Sequence, residues 1–474
     1  MMTTDEKSTG EKKQGEILKE ALCYNIKNGA ETLNDNEIEK VLDFAEGYKL
    51  FLDGAKTERE AVRAAANRAI ECGFKRFEYG AEYAAGEKVF YINRNKAIIL
   101  AVIGKKKVDC GIRILAAHID SPRLDLKPNP MFEEGGFAFF KTHYYGGIKK
   151  YQWPTIPLAL HGTVINEKGC AIDVKVGEDE SDPVFYISDL LPHLGADQSA
   201  KPLGTAIPGE SLNAIIGTYP IQDKTASDRI KLAVLKLLNE KYGIKEEDFL
   251  SSELTLVPAD KAKDVGFDRS LIGSYGHDDR VCAYPALEAI LGVSDPEYTC
   301  MAVLTDKEEI GSVGNTGLNT NYMADFMSEL CNSQKANPRK MFSNSTCLSA
   351  DVNACYDPKF ADCFEKQNSA MINCGVVVTK YTGSRGKSGT SDASAEFMGK
   401  IRNILNSAGV IWQTAELGKV DQGGGGTVAQ YVAKFNIDVV DVGVPVLSMH
   451  APYEVISKID IYSAFRAFDA FLKA

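Results

Sequence analysis

The sequence predicts an α/β layer structure interrupted by a largely β insertion, and three observations carry that prediction. Strand-length apolar runs alternate with amphipathic helical patterns before about residue 124 and again from about 273, as expected for helices layered on a sheet. Between those limits the chain turns glycine- and aromatic-rich, with short β-type runs. Several of the apolar runs also end abruptly in His, Asp or Glu.

The elements follow in order. Residues 1 to about 15 are charged and read as frayed. From about 36 to 75 the pattern is helical: Val41, Phe44, Tyr48, Phe51 and Leu52 share one face, and Thr57-Glu58-Arg59-Glu60 is a capping box opening a second, alanine-rich helix. Strands follow at 88 to 92, 97 to 103 and 111 to 117. The insertion opens with FEEGGFAFFKTHYYGGIKKYQW and holds β-type runs through 185 to 187, a helix over 227 to 242 and a strand over 253 to 257. Beyond it come helices over 283 to 291 and 391 to 407, and strands over 300 to 304 and 439 to 447.

Composition narrows the function. The chain has 474 residues, 44% hydrophobic and 25% charged, the balance of an ordinary globular protein. With 54 basic against 65 acidic residues the net charge is -11, which argues against a nucleic-acid partner. No apolar run approaches the ~18 residues that span a bilayer, and the N-terminal stretch lacks the apolar core of a secretory signal. Eleven cysteines without CxxC pairing suit a reducing compartment. The expectation is a cytoplasmic protein with no membrane partner.

The chemistry sits at the strand ends. RILAAHIDSP closes a strand at His118, with Asp120 two residues on. AVLTDKEE closes another at Glu308 and Glu309, TCLSADVNA presents Asp351, and VGVPVLSMHAPYE presents His450. A fifth segment, SYGHDDRVCAYPALEAIL, carries Asp278 and Asp279 into a helix. In open α/β sheets ligands sit outside the carboxyl ends of the strands, so these segments can meet in one crevice. Each has an ordinary reading: His-x-Asp as a hydrogen-bonded turn, Asp-Glu-Glu as a solvated loop, Asp351 as a cap or turn residue, His450 as a satisfied core histidine. Their coincidence at strand exits favours a site.

Two adjacent glutamates after a buried strand raise one another's pKa, and burial raises them further. A divalent cation of the zinc type, which accepts imidazole nitrogen and carboxylate oxygen, relieves that strain. One glutamate gives its charge to the ion and the other stays free as a proton acceptor. Two ions roughly 3.5–4 Å apart would make hydroxide available at neutral pH, and Asp120 is placed to hold the second nitrogen of His118.

At AAHIDSPRLDLKP, the Asp-Asp of HDDR, DKEEIGS, SADVNA and SMHAPYE, in that order, the chain resembles the M18 family of metalloaminopeptidases. The resemblance implies a zinc-exopeptidase-like three-layer sandwich. Residues 1–123 and 273–474 would form a discontinuous metallopeptidase domain, and 124–272 an inserted β-rich oligomerisation domain. It implies two Zn2+ per subunit, with Co2+ or Mn2+ as alternatives. His118 corresponds to a ligand of one ion, Asp278 to the bridging carboxylate, Glu309 and Asp351 to ligands private to each ion, and His450 to the residue completing the second site. Glu308 corresponds to the general base and Asp120 to the group orienting His118. His193, in DLLPHLGAD, matches a histidine that reaches a neighbouring subunit's active site. A large homo-oligomer, typically a dodecamer, and peptide substrates with a free N-terminus are implied as well.

The chain departs from the better-known aspartyl enzymes of that family at QGGGGTVAQY and YTGSRGKSGTSDAS. Lys380 is either a partner for an acidic substrate side chain or a surface lysine. Gly425, within the run 423 to 426, is either part of a backbone nest for a carboxylate or oxyanion or simply part of a tight turn. Two rival functions stay open on sequence: a dinuclear amidase or deacylase acting on small N-acyl compounds, and a metal-stabilised assembly protein without turnover.

Overall fold

The computed structural model describes residues 14–474; the frayed reading of the N-terminus lies outside them up to residue 13. The central sheet has nine strands, in the order Lys75–Arg76, Lys88–Asn93, Ala97–Val102, Thr299–Thr305, Ile112–His118, Thr346–Ser349, Asp438–Gly443, Val376–Thr379 and Trp412–Thr414. The four strands from Thr299–Thr305 to Asp438–Gly443 run parallel to one another. Their carboxyl ends therefore lie along one edge, with Thr305 level with His118 and Ser349 level with Asp441.

Both faces of this sheet are covered, which is why its strands read as continuous apolar runs. Every residue of Ala97–Val102 is buried. Ile98, Leu100 and Val102 enter one core, with the helices Asp35–Gly54, Glu58–Glu71, His277–Leu291 and Lys458–Leu472. Ile99 and Ala101 enter the other, against Tyr322–Ser333. The result is a helix–sheet–helix sandwich, as the sequence predicted. The helical pattern of 36 to 75 resolves into two helices, each opened by a capping box, at Asn34 with Glu37 and at Thr57 with Glu60.

A second, wholly antiparallel sheet is ordered Ala171–Val176, Leu158–Ile165, Ser252–Pro258, Arg123–Glu134, Phe137–Tyr145 and Ala214–Gly217. It has its own core around the fully buried Trp153, with Val234 and Leu238 of the helix Arg229–Tyr242 packed against it. The expected strand at 185 to 187 makes only isolated bridges, Phe185 to Leu158 and Tyr186 to Ile215.

The run 439 to 447 differs from its sequence reading. It is two strands rather than one: Asp438–Gly443 stays in the central sheet, and Pro445–Leu447 joins a third sheet with Lys263–Val265, Leu271–Ser274, Glu454–Ser457 and Asn353–Ala354. Proline has no N–H to continue a central ladder and is tolerated at the first position of a strand. Val444 also spends its carbonyl on the N–H of Asn353, at 2.9 Å. The chain thus leaves the main sheet before reaching His450, and the small third sheet carries that residue to the site.

Candidate metal centre

The strand exits converge. His118 ends its strand with its side chain 1% exposed and Nε2 3.1 Å from Oδ1 of Asp278 and 3.8 Å from Oδ1 of Asp351. His450 directs Nε2 to the other oxygen of Asp278, at 3.2 Å, and to Oε1 of Glu309, at 3.5 Å. Two groups of donors result, His118–Asp278–Asp351 and Asp278–Glu309–His450, each with its atoms within 4.8 Å of one another. Asp278 belongs to both.

The imidazoles are oriented as ligands. Nδ1 of His118 meets the backbone carbonyl of Asp120 at 3.0 Å, and Nδ1 of His450 meets that of Gly147 at 2.7 Å. A carbonyl only accepts, so each Nδ1 carries a proton, and each Nε2 faces carboxylates that, against burial, push both imidazoles up, His450 to about 10. Two acceptors facing each other at 3.1–3.2 Å require a cation or a proton between them. The carboxylates point to a cation as well. Burial pushes the carboxyls of Glu309 and Asp351 well above their ordinary range, and Oε1 of Glu309 is buried without a hydrogen-bond partner. Mixed imidazole and carboxylate donors fit zinc.

Asp120 holds more than an imidazole. It meets His118 mainly through its backbone carbonyl, and its carboxylate accepts the N–H groups of Glu308 at 3.1 Å and Glu309 at 3.2 Å, and the hydroxyl of Tyr145 at 2.8 Å. The glutamate pair is therefore fixed from behind. Burial pushes the Glu308 carboxyl up to about 7, offset in part by His118 and reinforced by Asp120 and Asp278. Its Oε2 lies 4.0 Å from Nε2 of His118.

These residues open on a cavity of about 430 Å³ lined also by Asn353, Thr379, Thr427, Tyr431 and Asp441. Gly425 lines it too; its carbonyl is engaged by the N–H of Gly383 at 2.7 Å, and the helix that follows, Ala429–Ala433, begins four residues later. Lys380 is not in the lining: its ammonium pairs with Asp392, which also binds Lys387. His193 sits exposed on the short turn Pro192–Leu194 and does not reach the cavity of its own chain.

Sequence reasoning missed Tyr145, Gly147 and Glu454 around the site. Tyr145, Gly146 and Gly147 lie in the YYGG that closes the strand Phe137–Tyr145, and that glycine pair was the available signal. At Gly146, with φ +73°, a Cβ would stand 3.1 Å from Oε2 of Glu309, so the close approach of backbone to the glutamate needs a residue without one.

An α/β sandwich with histidines and carboxylates gathered at the carboxyl edge of its parallel strands defines a metal-dependent hydrolase. Residues 51–472 match the family model described as aminopeptidase I zinc metalloprotease (M18), and the chain belongs to that family, as an M18 aminopeptidase. The relative "Probable M18 family aminopeptidase 1" of Clostridium acetobutylicum is 47% identical over 459 residues, covering 95% of this chain and 99% of the relative. The crystal structure of the M18-family aminopeptidase from Thermotoga maritima superposes with a TM-score of 0.91 at 42% identity, over 95% of this chain and 99% of that one. The mApe1 dodecamer of S. cerevesiae shares the fold, with a TM-score of 0.75 at 19% identity over 91% of this chain and 96% of that one. Among the described residues no helix is long and apolar enough to cross a membrane.

Proposed function

We propose that the chain releases N-terminal residues from unblocked peptides with two zinc ions, one held by His118, Asp278 and Asp351 and the other by Asp278, Glu309 and His450. Zinc supplies Lewis-acid polarisation of the scissile carbonyl and a lowered pKa for water. The chain's residues do the rest. The carboxylates of the cavity receive the positively charged α-amine and so set the register at the first peptide bond. Glu308 takes a proton from the attacking water as its oxygen bonds to the carbonyl carbon, and delivers it to the leaving nitrogen as the C–N bond breaks. Asp120 keeps Glu308 and His118 in position.

One observation carries this reading over the amidase alternative. Asp278, Glu308, Glu309, Asp351 and Asp441 line the cavity, and no lysine or arginine does. Outside the zinc ligands a cationic amine finds the acceptors of Glu308 and Asp441, whereas the carboxylate of an N-acyl amino acid finds no lysine or arginine of this chain to hold it. A site built for structure alone would close its coordination and need no spare base such as Glu308.

The inserted region, 124–272, serves assembly in this reading, and the protein is a homo-oligomer of the dodecamer type. Exposed Leu190, Leu191 and Leu194 surround His193, which supports burial of that turn against a second copy and a role for His193 in its neighbour's site. Eleven unpaired cysteines support a cytoplasmic location. The imidazole and carboxylate donors also admit Co2+ or Mn2+.

The test is a substrate panel with and without chelator. Aminoacyl-p-nitroanilides should be hydrolysed, chelation should abolish the activity, and zinc should restore it. Hydrolysis confined to N-acylated amino acids would reverse the assignment, and activity indifferent to chelation would remove the metal from it.

A further inference from the structure

Glu454 is 1% exposed and lies outside both donor groups. Among the described residues no lysine or arginine pairs with it. Its two oxygens instead accept two backbone N–H groups: Oε1 that of His450, at 2.7 Å, and Oε2 that of Asp278, at 3.1 Å. These residues carry the bridging carboxylate and the second imidazole, and they arrive from segments 172 residues apart in the chain. The third sheet brings the segments together, since Glu454 is paired in register with Ser274, four residues before Asp278.

A buried carboxylate without a cation is expensive, and a neutral glutamine would be cheaper to bury. Glutamine has a single acceptor oxygen, however, and would turn its NH2 toward the other N–H. The geometry needs two acceptors on one side chain, spaced as a carboxylate spaces them. Holding the backbone nitrogens of Asp278 and His450 to one rigid group fixes Oδ2 of Asp278 against Nε2 of His450, the 3.2 Å contact on which the second donor group depends.

We infer that Glu454 is the positioning residue of the His450 zinc site, acting through the backbone of two ligands without touching metal or substrate. This rests on the two-site reading above. It is tested on full-length protein stripped of metal, by zinc titration against a chromophoric chelator. The wild type decides the two-site reading by itself, since it should take up two zinc ions per chain.

In Glu454→Gln one of the two sites should loosen by roughly 10- to 100-fold, the range for outer-shell partners of metal ligands. The metal-free variant should melt with the metal-free wild type, and excess zinc should restore kcat. Glu454→Asp keeps the charge but is one methylene too short to reach both N–H groups, and it should loosen the same site. Two zinc ions bound as tightly as in the wild type by both variants would overturn the inference. So would metal-free variants that melt far below the wild type or do not fold, since the residue would then serve stability alone.

Discussion

Oδ1 of Asp120 accepts the backbone N–H of Glu308 at 3.1 Å, across 188 residues of sequence. One carboxylate thereby couples the exits of two neighbouring parallel strands, since its other oxygen takes Glu309 and its own backbone carbonyl takes His118. Asp120→Asn would turn an NH2 toward one of those donors. The expected result is a folded, zinc-binding protein with kcat lowered about 10- to 100-fold. Steady-state kinetics beside metal analysis checks it; an unchanged kcat would release Asp120 from that role.

Glu308 belongs to neither donor group, and burial has raised its carboxyl to about 7, where a group can both accept and return a proton near neutrality. Glu308→Gln should retain its zinc and lose about 10²- to 10⁴-fold in kcat. Near-wild-type turnover by this variant would remove the general base.

The charge of the cavity sets a preference. Asp441 is 3% exposed, both its oxygens and Oδ1 of Asn353 are buried without hydrogen-bond partners, and Lys380 is taken up by Asp392. An acidic first side chain would meet no lysine or arginine of this chain there, only neutral hydroxyl and amide donors beside the Asp441 carboxyl. Leucyl- and alanyl-p-nitroanilides should therefore exceed the aspartyl and glutamyl compounds in kcat/KM by at least about 10-fold, or roughly 1.4 kcal/mol. The reverse order would mean that a cation reaches the cavity from elsewhere.

Much of this site was legible in the sequence, for a physical reason. His118, Glu309 and Asp351 follow strands buried on both faces, and such strands announce themselves as unbroken apolar runs that stop where the sheet stops. His450 was harder. Its strand leaves the main sheet at Pro445, and its position depends on a small sheet whose strands come from residues near 270, 353 and 455. Glu454 was invisible because it acts on backbone groups, one of them 176 residues away, and no local spacing encodes that, while Tyr145 and Gly147 were marked only by the glycine pair at 146 and 147. Lys380 was ambiguous until Asp392 appeared beside it.

Stability in acid should depend on Glu58. This buried carboxylate meets Arg123, at the start of the strand Arg123–Glu134, at 3.0 Å and Lys96 at 3.4 Å. Burial opposes its charge, but Arg123 and Lys96 override burial and hold the carboxyl at about 2, below the ordinary 4.5. A depressed folded-state pKa stabilises above the unfolded value, so this contribution, on the order of 3 kcal/mol, is complete above about pH 4.5 and is lost as pH falls toward 2. Glu58→Gln should lower stability at neutral pH by roughly 3 kcal/mol and flatten the acid limb over that window. Acid titrations of the circular dichroism of both proteins compare the limbs; parallel limbs would contradict the assignment.

The most direct test of the whole account is to locate zinc by anomalous scattering in crystals of the zinc-loaded protein. The prediction is two peaks per chain on either side of the Asp278 carboxylate, one within bonding distance of His118 and Asp351, the other of Glu309 and His450. A single peak, or two peaks that do not share Asp278, would contradict it.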